Sequence, residues 1–207
     1  MVEPELTTHV TCGAPRPVLV WRFPAPQRVA ATASVGGGLA LRSWVVNAQV
    51  PLDYDRVDLD AHVAELAGAA GCTGTGVGLL TAAGMEPRGL AEDGGVTCSA
   101  TVGVTRPTWA ADVYDAWSGA VPGTINLVVQ VPAALTDAAL LNALVSATEA
   151  KSQALLERGV PGTGTASDAV CIACPAEGPA DAFGCPRSRW GARVARATHA
   201  AVLEGLG

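Results

Sequence analysis

The run Thr148-Glu149-Ala150-Lys151 sets a lysine two residues after a carboxylate, and the loop Gly162-Thr163-Gly164-Thr165-Ala166-Ser167-Asp168 gathers hydroxyls, backbone N–H groups and a second carboxylate. A cation, carboxylates and several donors at close quarters can move protons and hold an oxyanion, which is what attack on an acyl carbon requires. The same loop residues suit turn formation and capping ahead of a strand equally well, and both readings stand at this point. With residues placed at 100° per step from Leu140, the apolar Leu140, Leu141, Leu144, Val145, Leu155 and Leu156 span an arc of about 160°, and Asn142, Ser146, Gln153 and Glu157 lie outside it. Thr148 and Lys151 fall inside the apolar arc. A lysine so placed either snorkels to water or occupies a pocket that desolvates it. Glu149 sits at the edge of the arc, where a solvated charge is the ordinary outcome.

Other constellations carry less chemistry. Cys171 and Cys174 form a CxxC with Cys185 downstream, but residues three apart on a strand face opposite ways, so one metal could not collect both thiolates. His9, His62 and His199 are far apart and form no HExxH pattern, so no metal site is expected. Asp60-Ala61-His62 begins an Asp-x-His-x-x-Gly cobalt-ligand pattern that fails at Glu65, leaving His62 as an ordinary surface residue of an amphipathic helix. The glycines of 71–78 precede a strand, lack the Walker lysine and read as a turn. Gly36-Gly37-Gly38 joins two strand-like runs, where it suits a hairpin turn or close approach of a ligand to the backbone.

These residues need a scaffold. Apolar runs bounded by Gly and Pro predict strands at 18–23, 28–34, 39–47, 77–82, 96–105, 124–131 and 169–174. Helices are expected at 58–70, 137–158 and 188–206, the long one capped by Thr136 and closed by Gly159. Many strands and few helices, unevenly grouped, predict an α/β or α+β fold: a single layered domain over residues 1–207 with a mostly β core and a few packing helices. With 207 residues, 49% of them hydrophobic, the chain can bury a core without disulfides or a structural metal. A net charge of -6 lacks the basic footprint of a nucleic-acid binder. Glu3, Glu5 and His9 near the start do not resemble a signal peptide, and no run is long enough for a membrane helix. A cytoplasmic protein with reduced cysteines and no membrane partner is expected; whether it forms a homo-oligomer is left open.

Taken in order, several segments resemble the adenosylcobinamide amidohydrolase family of corrinoid salvage enzymes. They are Gly37-Gly38-Leu39, NAQVPLDY (47–54), GVGLLTAA (76–83), ATVGVT (100–105), GTINL (123–127), TEAK (148–151) and GTGTASDAV (162–170). The family often has Asn-Gly-Gly where this chain has Gly36-Gly37-Gly38, and a Thr-Asp pair where it has Ser167-Asp168. The resemblance implies hydrolysis of the amide joining aminopropanol to the corrin ring, giving adenosylcobyric acid and (R)-1-amino-2-propanol. The corrinoid is then the substrate, and no cofactor is implied.

On that reading the catalytic set is Asp168 or Glu149 as base, Lys151 as electrostatic stabiliser or acid, and Asn126 with the loop of Thr163 and Thr165 holding the oxyanion. Gly37, Gly38, Asn47, Thr81, Thr148 and Ser167 are the implied substrate-binding positions, and Trp44, Trp109 and Trp117 are candidates for packing on the macrocycle. Water and a Ser or Thr hydroxyl both remain open as nucleophile. Two other readings stand beside this one: a corrinoid carrier without hydrolysis, and a self-processing amidase in which cleavage before Thr124 frees a threonine amine.

Overall fold

The structure, a computed structural model, describes residues 1–11, 13–86, 88–113 and 123–207. The described residues form eight strands: β1 (Glu5–Thr11), β2 (Ala14–Ala31), β3 (Gly38–Gln49), β4 (Gly76–Thr81), β5 (Gly89–Asp93), β6 (Val96–Gly103), β7 (Thr124–Gln130) and β8 (Ala169–Pro175). The helices are α1 (Leu59–Ala69), α2 (Asp137–Glu157) and α3 (Arg189–Leu206). One sheet runs in the order β4-β3-β2-β8-β7-β6-β5, with β1 paired to β2. The pairs β3–β4 and β7–β8 are parallel and the rest antiparallel. This is the expected mixed α/β fold, built on a central, mostly β core.

The strands expected at 18–23 and 28–34 are one strand, β2, whose pairing with β3 shifts register between Arg22 and Gln27. Pro24 and Pro26 fall inside that break, since proline cannot donate to a ladder and is tolerated at a bulge. Two strands were not expected. β1 has few large apolar side chains and pairs along the exposed side of β2, while β5 is a short edge strand held in a hairpin with β6. Gly94 and Gly95 turn that hairpin with φ of 54° and 90°, the geometry that two-residue hairpin loops demand.

Alternation along β2 sorts the interior into layers. Val18 and Val20 join Trp44, Val46, Val63 and Leu66 beneath α1, while Leu19, Trp21, Val29 and Ala31 face the other way with Val45, Val77, Leu79 and Val128. On the face that carries α1, but at the far side of the sheet, Ile125, Leu127, Val129, Val170 and Ile172 pack under α2 and α3. Among the described residues, no helix residue takes part in the second layer, and the sheet curls to bury that face on itself. Two hydrogen bonds cross the curl: the Leu80 carbonyl of β4 accepts from Asn126 of β7, and Asn47 of β3 donates to Thr101 of β6.

The buried side of α2 is rotated from the expected arc. Ala143, Ala147, Ala150 and Ala154 form its buried ridge with Leu140 and Leu155, whereas Leu141, Val145 and Leu156 are each about half exposed. Small side chains allow backbones to approach closely, so the alanines, rather than the largest apolar residues, face the fold. Ser146, placed outside the arc from sequence, is buried and donates to the Gly184 carbonyl. His62 also departs from expectation: it is buried, stacks on the Tyr54 ring and shares a 2.7 Å hydrogen bond with the Tyr54 hydroxyl. Cys171 and Cys174 enter different layers, as strand alternation requires. Burial pushes the Cys171 thiol up to about 12. Among the described residues, no helix is long and apolar enough to cross a membrane.

Candidate active site

Lys151 lies on the buried side of α2 and ion-pairs with Asp168, the residue before β8, their side chains only 7% and 11% exposed. The pocket alternative for this lysine is therefore the one realised. Asp168 Oδ2 accepts from Lys151 Nζ and from the Thr165 backbone N–H at 3.1 Å. Its Oδ1 accepts from the Ile125 N–H at 2.9 Å and faces the Thr165 hydroxyl at 2.5 Å. Four donors fill the capacity of a carboxylate, so Asp168 locks lysine, loop and β7 together. Gly164 is required between them, because a methyl group there would run into the Asp168 carboxylate and the Lys151 ammonium.

A row of hydroxyls continues from this pair to the start of β7. Thr165 Oγ1 lies 2.8 Å from the Gly123 carbonyl, and Ser167 Oγ lies 3.3 Å from the same oxygen. Ser167 Oγ also shares a 2.9 Å hydrogen bond with Thr124 Oγ1. Thr163 accepts at its hydroxyl from the Ala110 N–H, and its carbonyl takes a hydrogen bond from Ser152 of α2, which pins the loop to the helix.

A third polar group occupies the curled face. Asn126 Nδ2 donates to Asn47 Oδ1 at 2.9 Å and to the Leu80 carbonyl at 3.1 Å, while Asn47 Nδ2 donates to Thr101 Oγ1 at 3.0 Å. A backbone carbonyl can only accept, so the Leu80 contact fixes which end of the Asn126 amide is nitrogen. Asn126 Oδ1 is then buried with no hydrogen-bond partner among the described residues. Both donor hydrogens of Asn126 are engaged, which leaves it an acceptor to offer instead of the oxyanion donor expected. Thr81 is buried at the end of β4, its hydroxyl accepting from the Ala83 N–H.

The structure thus brings Lys151, Asp168, Thr165, Ser167 and Thr163 into one group and joins Asn126 to Asn47 close by. Glu149 is not brought in: it is exposed on α2, two residues from Lys151 and on a different side of the helix. Thr148 is exposed too, its hydroxyl donating to the Leu144 carbonyl. Gly37 and Gly38 lie at the turn between β2 and β3, at the sheet end where β8 begins, because Ala31 pairs with both Gly38 and Cys171. Trp44 is core beneath α1, Trp109 is half exposed beside the Thr163 loop, and Trp117 lies outside the described residues.

Thr101 and Ser152 were not singled out from sequence. The alternation Thr97, Ser99, Thr101 on β6 is the signal that would have found the first. One step further along the curled face, past Ser99 and Val128, opens a cavity of about 460 Å³ lined by Val2, Trp21, Arg88, Thr97, Ser99 and Gln130.

A family model described as adenosylcobinamide amidohydrolase matches residues 3–207. The chain is 35% identical over 153 residues to an adenosylcobinamide amidohydrolase of Methanosarcina mazei, covering 72% of each protein. It is 40% identical over 136 residues to one of Halobacterium salinarum, covering 62% of this chain and 55% of that one. Among solved structures, the PH0078 protein of Pyrococcus horikoshii superposes with a TM-score of 0.54 over 99% of this chain and 84% of its own, at 12% identity, a likeness of fold.

Proposed function

Because this chain belongs to the adenosylcobinamide amidohydrolase family, we propose that it hydrolyses the amide between aminopropanol and the corrin ring of adenosylcobinamide, releasing adenosylcobyric acid and (R)-1-amino-2-propanol. The observation that carries the proposal is the buried Lys151–Asp168 pair set beside the hydroxyls of Thr124, Thr165 and Ser167. Such a group can hold positive charge and hydroxyl donors at the developing oxyanion of a tetrahedral intermediate. Lys151 supplies that charge in this scheme. Asp168 acts through it, as the residue that positions the ammonium and the loop.

An amide is a demanding target, and enzymes lower barriers by about 8 to 23 kcal/mol. General acid–base catalysis gives about 10²- to 10⁴-fold and one oxyanion donor about 3 to 4 kcal/mol, so orientation by the rest of the substrate must contribute. The corrin supplies a large surface remote from the scissile bond, and the half-exposed Trp109 at the rim of the Thr163 loop is the ring placed to pack on it. Reaction without a resident cofactor, in a cytoplasmic single-domain protein, completes the proposal.

Incubation of purified protein with adenosylcobinamide, followed by mass-resolved product analysis, tests it. Adenosylcobyric acid with stoichiometric aminopropanol is the expected result. Unchanged substrate together with tight binding, seen in the corrinoid absorption spectrum, would replace hydrolysis by a carrier role.

A further inference from the structure

We infer that the peptide bond between Gly123 and Thr124 is a self-cleavage site, and that Thr124, once freed at its amine, is the nucleophile of the amidohydrolase; the second half of this inference rests on the function proposed above. Two side-chain hydroxyls lie within hydrogen-bond reach of the Gly123 carbonyl, Thr165 at 2.8 Å and Ser167 at 3.3 Å, each with one proton to give either to it or to a second acceptor. Backbone carbonyls in a ladder take N–H donors; convergence of two hydroxyls on one carbonyl ahead of a threonine is the arrangement that stabilises a tetrahedral oxyanion.

The proton chain has one consistent direction. If Ser167 donates to the Gly123 oxygen, its own oxygen is free to accept from Thr124, so the Thr124 hydroxyl points its proton at Ser167 and its lone pairs away. Thr165 shares its proton between Asp168 and Gly123. Asp168 keeps Lys151 and two backbone N–H groups whichever way that proton turns, so Thr165 can swing to the Gly123 oxygen as charge grows there. A side chain at residue 123 would strike the Gly103 carbonyl, so only glycine fits ahead of Thr124.

The step balances as an acyl shift followed by hydrolysis. Thr124 Oγ1 attacks the Gly123 carbonyl carbon, a C–O bond forms, the C–N bond breaks, and the hydroxyl proton passes through Ser167 to the departing nitrogen. Water then adds to the ester, leaving Gly123 as a carboxylate and Thr124 with a free amine and a restored hydroxyl. In the intact chain Thr124 is only 4% exposed, and separation from Gly123 opens its amine and hydroxyl to the site. In turnover the amine takes the proton of its own hydroxyl as Oγ1 attacks the substrate amide, and hands it to the leaving aminopropanol nitrogen. Water finally releases the corrin carboxylate from the Thr124 ester.

Intact-mass measurement and N-terminal sequencing of the purified full chain provide the test. The expected result is two fragments, the second beginning Thr-Ile-Asn-Leu, with cleavage first order and independent of protein concentration. Thr124→Ala should stay uncut, with a wild-type circular dichroism spectrum, and lose hydrolysis by at least 100-fold; Thr124→Ser should still cut. Ser167→Ala should slow cutting at least tenfold. A wild-type chain that stays whole, whether or not it hydrolyses adenosylcobinamide, overturns the inference. So does cutting of Thr124→Ala at this bond, which would point to an outside protease. Cutting before Thr124 with the corrinoid untouched upholds self-cleavage and overturns the proposed substrate instead.

Discussion

Lys151 reaches Asp168 across Gly164, the one residue type that leaves room for the pair, and the pair ties α2 to the loop ahead of β8. Removing one partner of a buried ion pair leaves an uncompensated charge, at a cost of about 3 to 5 kcal/mol. Asp168→Asn should lie at or above the upper end, because Lys151 is then the orphan and two backbone N–H groups lose a charged acceptor. Lys151→Met should lie at the lower end, since Asp168 keeps three other donors. Urea unfolding of the two variants gives the comparison, and wild-type midpoints for both would show the pair to be dispensable.

Space, and not backbone conformation, is what Gly164 provides. Gly164→Ala should therefore lower hydrolysis by at least tenfold as well as stability, because the ammonium and the carboxylate must part. Gly159 is the control: its φ is 72° with open space around it, so Gly159→Ala should cost about 1 kcal/mol of backbone strain and leave turnover unchanged. Equal loss of activity in the two variants would remove the steric argument.

Glu149 was legible in the sequence as a carboxylate beside a lysine and yet lies outside the cluster. Glu149→Gln should keep hydrolysis within about twofold of wild type, as substitutions on exposed surface commonly do. A hundredfold drop in kcat would restore it as the base.

The contrast between Lys151 and Glu149 shows how far the sequence reading reached. Helix existence, strand runs and the Gly-Thr loop follow from local pattern, and the structure bears them out. Which side of α2 is buried does not follow, because alanines are weak markers on a hydrophobicity wheel even though they set the closest packing. The meeting of Asn47, Thr101 and Asn126 depends on the curl of the sheet, which joins residues 54 and 79 positions apart and leaves no local trace. β1 and β5 escaped for the opposite reason: one covers the side of a long strand and the other ends the sheet, so neither needs a continuous apolar run.

His62 gives a pH signature. Burial lowers its pKa below the ordinary 6.5, with Arg56 adding to the effect, so the folded protein favours the neutral ring. Between the folded pKa and about 6.5 the unfolded chain binds more protons than the folded one, and stability falls as pH falls through that window. His62→Gln should flatten this part of the profile relative to wild type. Urea midpoints from pH 7.5 down to 5 would show it, and identical slopes for the two proteins would sink the assignment.

Asn126 allows a second test with the opposite sign. Its Nδ2 faces two acceptors, Asn47 Oδ1 and the Leu80 carbonyl, in a buried setting. In Asn126→Asp a carboxylate oxygen takes that place, and ionisation sets negative charge against both oxygens, which raises the folded pKa above the usual value of about 3.9. The folded variant then holds its proton where the unfolded chain has lost it, so stability is greatest below about pH 4 and declines as pH rises through the folded pKa. Asn126→Leu lacks both donor hydrogens but cannot ionise; it should be destabilised by about 1 to 3 kcal/mol for each acceptor left bare, with no added pH dependence. If the two variants lose the same stability at every pH from 4 to 8, the amide is not oriented as the Leu80 carbonyl requires, and Asn126 Oδ1 is not the spare acceptor of the site.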